Sequence, residues 1–394
     1  MEPHSVDVLL VGGGVAAARC ARTLRRRGFA GSVLLVSDEP TPPYNRPPLS
    51  KELLQADLPA ELALVEPLSW YERHAVQLLL GERVLTLDPD GRHATLVDGS
   101  LIEYGQCLIA TGAAPRLPAI PGARTALPLR TLDDSARIRA RATAGSRAVV
   151  IGGGFIGVEV AGSLAARGVS VTIVEVAGAL WGGAFGPEVG AWAAERLTAA
   201  GVELRLGAAC ESITDSGVRL ADGELDADFV VAGVGVTPRV ELAVVAGMDV
   251  DNGILVDDGQ RTSAPGIFAA GDVARPRDGA RVEHWHAARE SGERAALAML
   301  GQPLPVRRAP WVYSEFAGAK LDVVGWAPRW DSIVALQGVV GYVVAGTVAQ
   351  VAALDSAVPI EGARTLVEQS PTPAELRSLV DGHNLAASNV QPAP

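Results

Sequence analysis

One short pattern occurs twice in this chain and constrains its fold more than any other feature. Val8-Leu9-Leu10-Val11 runs into Gly12-Gly13-Gly14-Val15-Ala16-Ala17, and Ala148-Val149-Val150-Ile151 runs into Gly152-Gly153-Gly154-Phe155-Ile156-Gly157. Each copy reads as a buried strand, a glycine turn and the opening of a helix. Sterics explain the residue types. A first glycine (Gly12, Gly152) makes the tight turn and a second (Gly14, Gly154) lets the backbone approach a pyrophosphate. A third small residue (Ala17, Gly157) lets helix and strand pack closely. The unpaired N–H groups at the helix start then face the anion from the positive end of the helix dipole.

The context of a dinucleotide site follows each copy. Ser32 to Val36 is a second strand ending near Asp38, and Val169 to Val174 is another ending at Glu175. An acidic side chain at that point can accept hydrogen bonds from both ribose hydroxyls of an adenine dinucleotide. The run from Val176 to Phe185 offers no Arg or Lys to hold a 2′-phosphate, which favours NADH over NADPH. Two dinucleotide sites in one chain point to two redox dinucleotides exchanging a hydride, for which flavin and nicotinamide are the usual pair. Two further apolar strands end in small-residue turns, Leu108-Ile109-Ala110-Thr111-Gly112 and Ile267-Phe268-Ala269-Ala270-Gly271-Asp272. Asp272 there could accept from a ribityl hydroxyl. The expected fold is α/β, with two Rossmann-like dinucleotide-binding domains and a small C-terminal α+β domain.

Composition narrows the function. With 48% hydrophobic residues the 394-residue chain is too apolar for disorder, and a formal charge of -11 argues against nucleic acid or anionic lipid as a partner. Cys20, Cys107 and Cys210 lie far apart without a CxxC spacing, so they read as packed side chains and not as a dithiol or zinc site. Ile333 to Leu354 carries no charge and is long enough for a membrane span, but Gly338, Gly341 and Gly346 divide it into pieces that suit antiparallel strands. No membrane is expected, and the N-terminus, which lacks the features of a secretion signal, points to a cytoplasmic protein. His284 and His286 would share one face of a strand, but no third ligand is near and no metal is expected.

Taken together these motifs resemble the pyridine-nucleotide flavoprotein reductases, and within them the putidaredoxin-type ferredoxin reductases. The resemblance is carried by Gly12-Gly13-Gly14 with Asp38, Arg46-Pro47-Pro48-Leu49-Ser50-Lys51, Ala110-Thr111-Gly112, the second glycine turn with Glu159 and Glu175, Gly233-Val234-Gly235-Val236-Thr237-Pro238, and Ala269-Ala270-Gly271-Asp272, in family order to about Trp311. It implies an FAD domain over 1–111 and 240–309, an NADH domain over 112–239, and a C-terminal domain over 310–394. It further implies that Asp38 holds the FAD ribose, that Arg46 and Lys51 reach the flavin side, and that Val84 and Arg130 lie along the FAD. Asp272 would bind the ribityl-phosphate part and the Trp285 backbone would approach the pyrimidine edge. Phe155, Ile156 and Gly235 would line the NADH site. Lys51, one of two lysines beside 32 arginines (34 − 2), would pair with Glu159 near flavin N5.

The segment Pro43-Tyr44-Asn45-Arg46-Pro47-Pro48 holds no sulfur where disulfide-reducing relatives keep a cysteine pair, so electrons are expected to leave the flavin directly. The resemblance makes the acceptor a [2Fe-2S] ferredoxin serving a cytochrome P450 or a Rieske-type oxygenase. A quinone or ascorbate-radical reductase and an NADH-sensing flavoprotein of the apoptosis-inducing-factor type are the alternatives. An acidic ferredoxin needs a basic docking surface, and Arg289, Arg294, Arg307-Arg308 and Arg329 are candidates, whereas Arg25-Arg26-Arg27 suits the C-terminal end of its helix. Tyr313 stands where the family often reads the second Trp of Trp-x-Trp-Ser. The C-terminal portion reads as strands Lys320 to Val324, Ser332 to Leu336, Gly341 to Ala345 and Val348 to Leu354, with a disordered tail from Ser388. Its shortness leaves a monomer or a weak homodimer as the expected state.

Overall fold

The computed structural model describes residues 4–182 and 184–388. The chain divides into two compact units, one formed by 1–47, 59–114 and 236–306 and the other by 48–58, 115–235 and 307–394. This division differs from the expected one at two places. Residues 48–58, which carry Lys51, group with the second unit, and 310–394 group there as well and do not stand apart. The reason for the first difference is a set of bonds into that unit. Ser135 Oγ donates to the Leu49 carbonyl, Gln55 Nε2 to Ser163 Oγ, and Arg139 and Arg167 to the carbonyls of Leu53 and Gln55.

The first unit is built on a mixed sheet in the spatial order Val76–Leu80, Val33–Ser37, His4–Val11, Leu101–Ile109, His93–Leu96, Val84–Asp88. The first four strands are parallel, and the short strand Ile267–Ala269 joins them alongside residues 107–109. The second half of the strand His4–Val11, Val8 to Val11, is wholly apolar because both sheet faces are covered. Val6, Leu9 and Val11 enter one core while Val8 and Leu10 enter the other. On the second face lie the helices Val15–Arg26 and Trp285–Met299. They approach so closely that a Cβ on Gly292 would overlap the Ala16 carbonyl oxygen.

The second unit contains a parallel sheet in the order Glu203–Leu206, Ser170–Glu175, Arg147–Ile151, Phe229–Ala232, Leu127–Pro128, with the helix Phe155–Ala166 following the second glycine turn. It also holds an antiparallel sheet in the order Trp311–Phe316, Ala319–Gly325, Thr347–Leu354, Val339–Val344, Ser332–Leu336. The uncharged stretch from Ile333 onward is therefore three strands, and among the described residues no helix is long and apolar enough to cross a membrane. Two details correct the sequence reading. Trp311–Phe316 is a strand in its own right, and Ser388 ends the helix Pro373–Ser388, while the rest of the expected disordered tail lies outside the described residues.

Candidate functional site

Both glycine turns adopt the same geometry. Gly12 has φ +122° and Gly152 φ +106°, a region that side chains disfavour, and a Cβ at either would overlap a carbonyl oxygen, of Ala110 and Gly233 respectively. Around Gly14 no atom lies within 4 Å of a Cβ position, and around Gly154 the nearest is 3.9 Å away. Neither helix start is capped by a side chain, and neither has an acid in its first turn. An open glycine cradle in front of uncapped N–H groups fits a pyrophosphate in each unit. Gly157 is pressed against its own turn, where a Cβ would overlap the Gly152 carbonyl oxygen, and Ala17 is fully buried on the helix that follows the first turn.

The two acids at the strand ends sit differently. Glu175 accepts from the Gly153 N–H at 2.5 Å and the Ala177 N–H at 2.7 Å, so its carboxylate is fixed beside the second cradle. Asp38 forms an ion pair with Arg239 at 3.1 Å, both partly exposed. Arg239 is itself held by the loop after the Leu101–Ile109 strand. Its N–H donates to the Gly112 carbonyl and its carbonyl accepts from Thr111 Oγ1 at 2.8 Å, with Gly112 at φ +68°. Ala110, at the mouth of the first turn, donates its N–H to Val11 O at 2.7 Å.

A second polar group of the first unit surrounds Arg46. Its guanidinium donates to Glu39 Oε1 at 2.9 Å and to Tyr44 Oη at 3.2 Å, and Tyr44 Oη donates to Glu39 Oε2 at 2.5 Å. Burial pulls the Arg46 pKa down, but Tyr44, Glu39 and Asp272 together outweigh it and leave it raised. Asp272 is thereby placed near Arg46, in a short turn that follows Ile267–Ala269. Trp285 opens its helix, donates from Nε1 to Asn45 Oδ1 at 2.7 Å, and has Arg289 4.4 Å above its ring. Val84 is buried in the core of this unit.

In the second unit Lys51 and Glu159 meet. Lys51 Nζ donates to Glu159 Oε2 at 2.6 Å, and both side chains are less than a tenth exposed. Ser50 Oγ donates to the same oxygen at 2.5 Å and Ser314 Oγ to Oε1 at 2.7 Å. Neither hydroxyl was assigned a role by sequence reasoning, since only the partner's position, 109 and 155 residues away, reveals it. Tyr313 lies 5.9 Å from Lys51 Nζ by its ring centre, and burial pushes its phenol up to about 12. Phe155 packs against Trp181 and Phe185, Ile156 is exposed, Gly235 at φ +93° accepts from the Arg116 N–H, and Arg130 precedes a helix where its N–H donates to Asp134.

Several expectations need correction. His284 and His286 are not on a strand, because His284 caps the Trp285–Met299 helix and His286 lies in its first turn. Among the described residues no group of three metal-binding side chains occurs. Arg294 is buried, bonded to Asp258 at 2.5 Å and to the Pro305 carbonyl, and so is not available for docking, whereas Arg308 is partly exposed and pairs with Glu368 and Glu361 at the surface. Arg25 satisfies the carbonyls of Phe29 and Gly31 beyond its helix end. Cys20 and Cys107 are fully buried and burial pushes both thiols up, so neither is a ready thiolate.

Residues 6–292 match the family model for pyridine nucleotide-disulphide oxidoreductases. The chain belongs to that family. Its members use FAD and a pyridine nucleotide, both of which carry the pyrophosphate that an open cradle of this kind fits. The chain is 36% identical over 342 residues to rhodocoxin reductase of Rhodococcus erythropolis, covering 83% of this chain and 80% of that one. Among solved structures it is similar to the covalent putidaredoxin reductase–putidaredoxin complex, with a TM-score of 0.90, 31% identity and coverage of 98% and 99% of the two chains. It is also similar to the ferredoxin reductase for the CYP199A2 system from Rhodopseudomonas palustris, with a TM-score of 0.89, 33% identity and coverage of 93% and 96%.

Proposed function

We propose that this chain is an NADH-dependent reductase of a [2Fe-2S] ferredoxin that serves a cytochrome P450 or Rieske-type oxygenase. The observation that carries the reading is the pair of open, uncapped glycine cradles, each in its own unit and one bordered by Glu175, in a chain whose relatives are named as reductases of such systems. FAD, when bound, accepts a hydride from NADH and releases the two electrons singly, which suits a one-electron carrier.

The chain's own residues bind, orient and supply charge. The cradle of the first unit and its helix N–H groups hold one pyrophosphate, and Asp38 offers its carboxylate to the ribose, sharing it with Arg239. Arg46, Asp272 and Trp285 line the same unit, with Arg46 held cationic by Glu39 and Tyr44. The second cradle holds the NADH pyrophosphate. Glu175, already anchored by two backbone N–H groups, presents its remaining lone pairs to the ribose hydroxyls, and a 2′-phosphate there would meet that carboxylate beside a segment, Val176 to Phe185, that carries no Arg or Lys. Lys51 supplies a buried ammonium whose charge is balanced by Glu159. Arg289, stacked on Trp285, is the docking cation we favour for an acidic ferredoxin.

The test is turnover of cytochrome c by the purified holoprotein with NADH. The reading expects fast turnover only when a [2Fe-2S] ferredoxin is added. Equal turnover on a quinone without ferredoxin would overturn the partner assignment.

A further inference from the structure

We infer that Ser314 is a positioning residue, whose hydroxyl fixes the Lys51 ammonium by way of Glu159. The inference deepens the proposed function, since it takes Lys51 to be the flavin-side cation. Ser314 lies in the middle of Trp311–Phe316 and is completely buried, at a strand position where an apolar side chain would be the usual choice. A buried hydroxyl is costly unless it is bonded, and the partner here is Glu159 Oε1 at 2.7 Å.

The two oxygens of Glu159 divide the work. Oε2 accepts from Lys51 Nζ and Ser50 Oγ, while Oε1 accepts from Ser314 Oγ. The carboxylate projects from a helix whose residues from Gly157 to Leu164 are all buried, so bulk water is not at hand to replace a lost bond. Removing the Ser314 hydroxyl strips one oxygen of a buried ion, and the carboxyl group then rotates or draws in water to satisfy it. The ammonium follows, because Oε2 is the atom it is bonded to.

Backbone contacts make this anchor stiff. Ser314 is held in register opposite Leu321 along a six-pair antiparallel ladder. The glycine helix meets the same strand end directly, for a Cβ at Gly162 would stand 2.9 Å from the Ala317 backbone nitrogen. The spacing between the hydroxyl and the carboxylate is therefore set by two rigid elements in van der Waals contact, the condition for holding a functional group to within a fraction of an ångström.

The chain's composition offers a direct probe, because Lys51 and Lys320 are its two lysines. Holoprotein carrying lysine labelled with 15N at the ζ position should give two ammonium signals, assigned by Lys320→Arg. In Ser314→Ala the Lys51 signal should move towards that of a solvated lysine, with Lys320 unmoved, and Ser314→Thr should restore it. In the same proteins the kcat for NADH-driven flavin reduction should fall roughly tenfold in Ser314→Ala with KM for NADH unchanged, as expected for one lost hydrogen bond to a charged group. If Ser314→Ala does not fold, Ser314→Cys, whose thiol is a weak donor of similar size, should show the same displacement in part. A Lys51 signal identical to wild type in Ser314→Ala or Ser314→Cys would overturn the inference, as would an unchanged kcat. A protein that holds no FAD would instead refute the proposed function, and the Lys51 signal can still be read in it.

Discussion

Replacing Lys51 by methionine removes one side of a buried ion pair and leaves the other in place. Glu159 is 6% exposed by its side chain, so the orphaned carboxylate has almost no solvent to turn to. Breaking a buried pair from one side costs about 3–5 kcal/mol, because the remaining charge is uncompensated. The hydroxyls of Ser50 and Ser314 still donate to Glu159, which places Lys51→Met at the lower end of that range, about 3 kcal/mol. For a folding unit of this size the loss corresponds to a fall of ~6–12 °C in melting midpoint. Scanning calorimetry of the holoprotein at neutral pH measures it. The double variant Lys51→Met with Glu159→Leu should recover most of the fall, since a packed apolar pair in place of a buried ion pair is often neutral or stabilising. A Lys51→Met midpoint within about 1 °C of wild type would refute the reasoning, because it would mean that Glu159 is rehydrated or neutral without its partner.

Four further outcomes are expected. Glu175→Ala should weaken NADH binding about tenfold or more with flavin content unchanged, as titration calorimetry of NADH against the variant would show, since it removes a ribose acceptor and unpins the Gly153 N–H. Gly12→Ala should abolish FAD retention, read as the flavin absorbance of the purified protein, because its Cβ would overlap the Ala110 carbonyl oxygen at a φ of +122°. Tyr313 has its folded pKa raised above its unfolded value, so stability is unaffected below pH ~10 and declines as pH rises towards about 12. Denaturation curves across that interval should show a steeper loss for wild type than for Tyr313→Phe. Arg289→Glu should raise KM for an acidic ferredoxin in low salt and lose most of that effect in high salt, with NADH-driven flavin reduction unaltered.

Much of the fold was legible because it is dictated by the backbone. The two glycine turns and their flanking strands could be read residue by residue, since a positive φ and a close carbonyl admit little else than glycine at Gly12 and Gly152. The uncharged run from Ile333 also read correctly as strands, with Gly338 and Gly346 at the turns, although Gly341 lies within the strand Val339–Val344. The Trp311–Phe316 strand was less visible. Arg307, Arg308 and Pro310 precede it and its aromatic residues lack a clean alternation of apolar and polar, so its pairing with Ala319–Gly325 defines it.

The site divides along the same line. Local features such as Glu175 beside its turn were readable, whereas features made by distant residues were not. Ser314 is an unremarkable strand serine until the fold brings it to Glu159. Arg294 reads as a solvated helix arginine until the loop carrying Asp258 covers it. The Glu39–Tyr44–Arg46 group lies within a few residues, yet its meaning depends on Asp272, far along the chain.

The central claim is that one unit of this chain carries FAD and the other the NADH that reduces it. Rapid mixing of the purified yellow holoprotein with NADH under anaerobic conditions tests it most directly. The account predicts complete bleaching of the flavin absorbance at a rate that saturates with NADH, with the half-saturation point displaced upward in Glu175→Ala. A colourless protein that refuses FAD, or a flavin that NADH leaves oxidised, would contradict it.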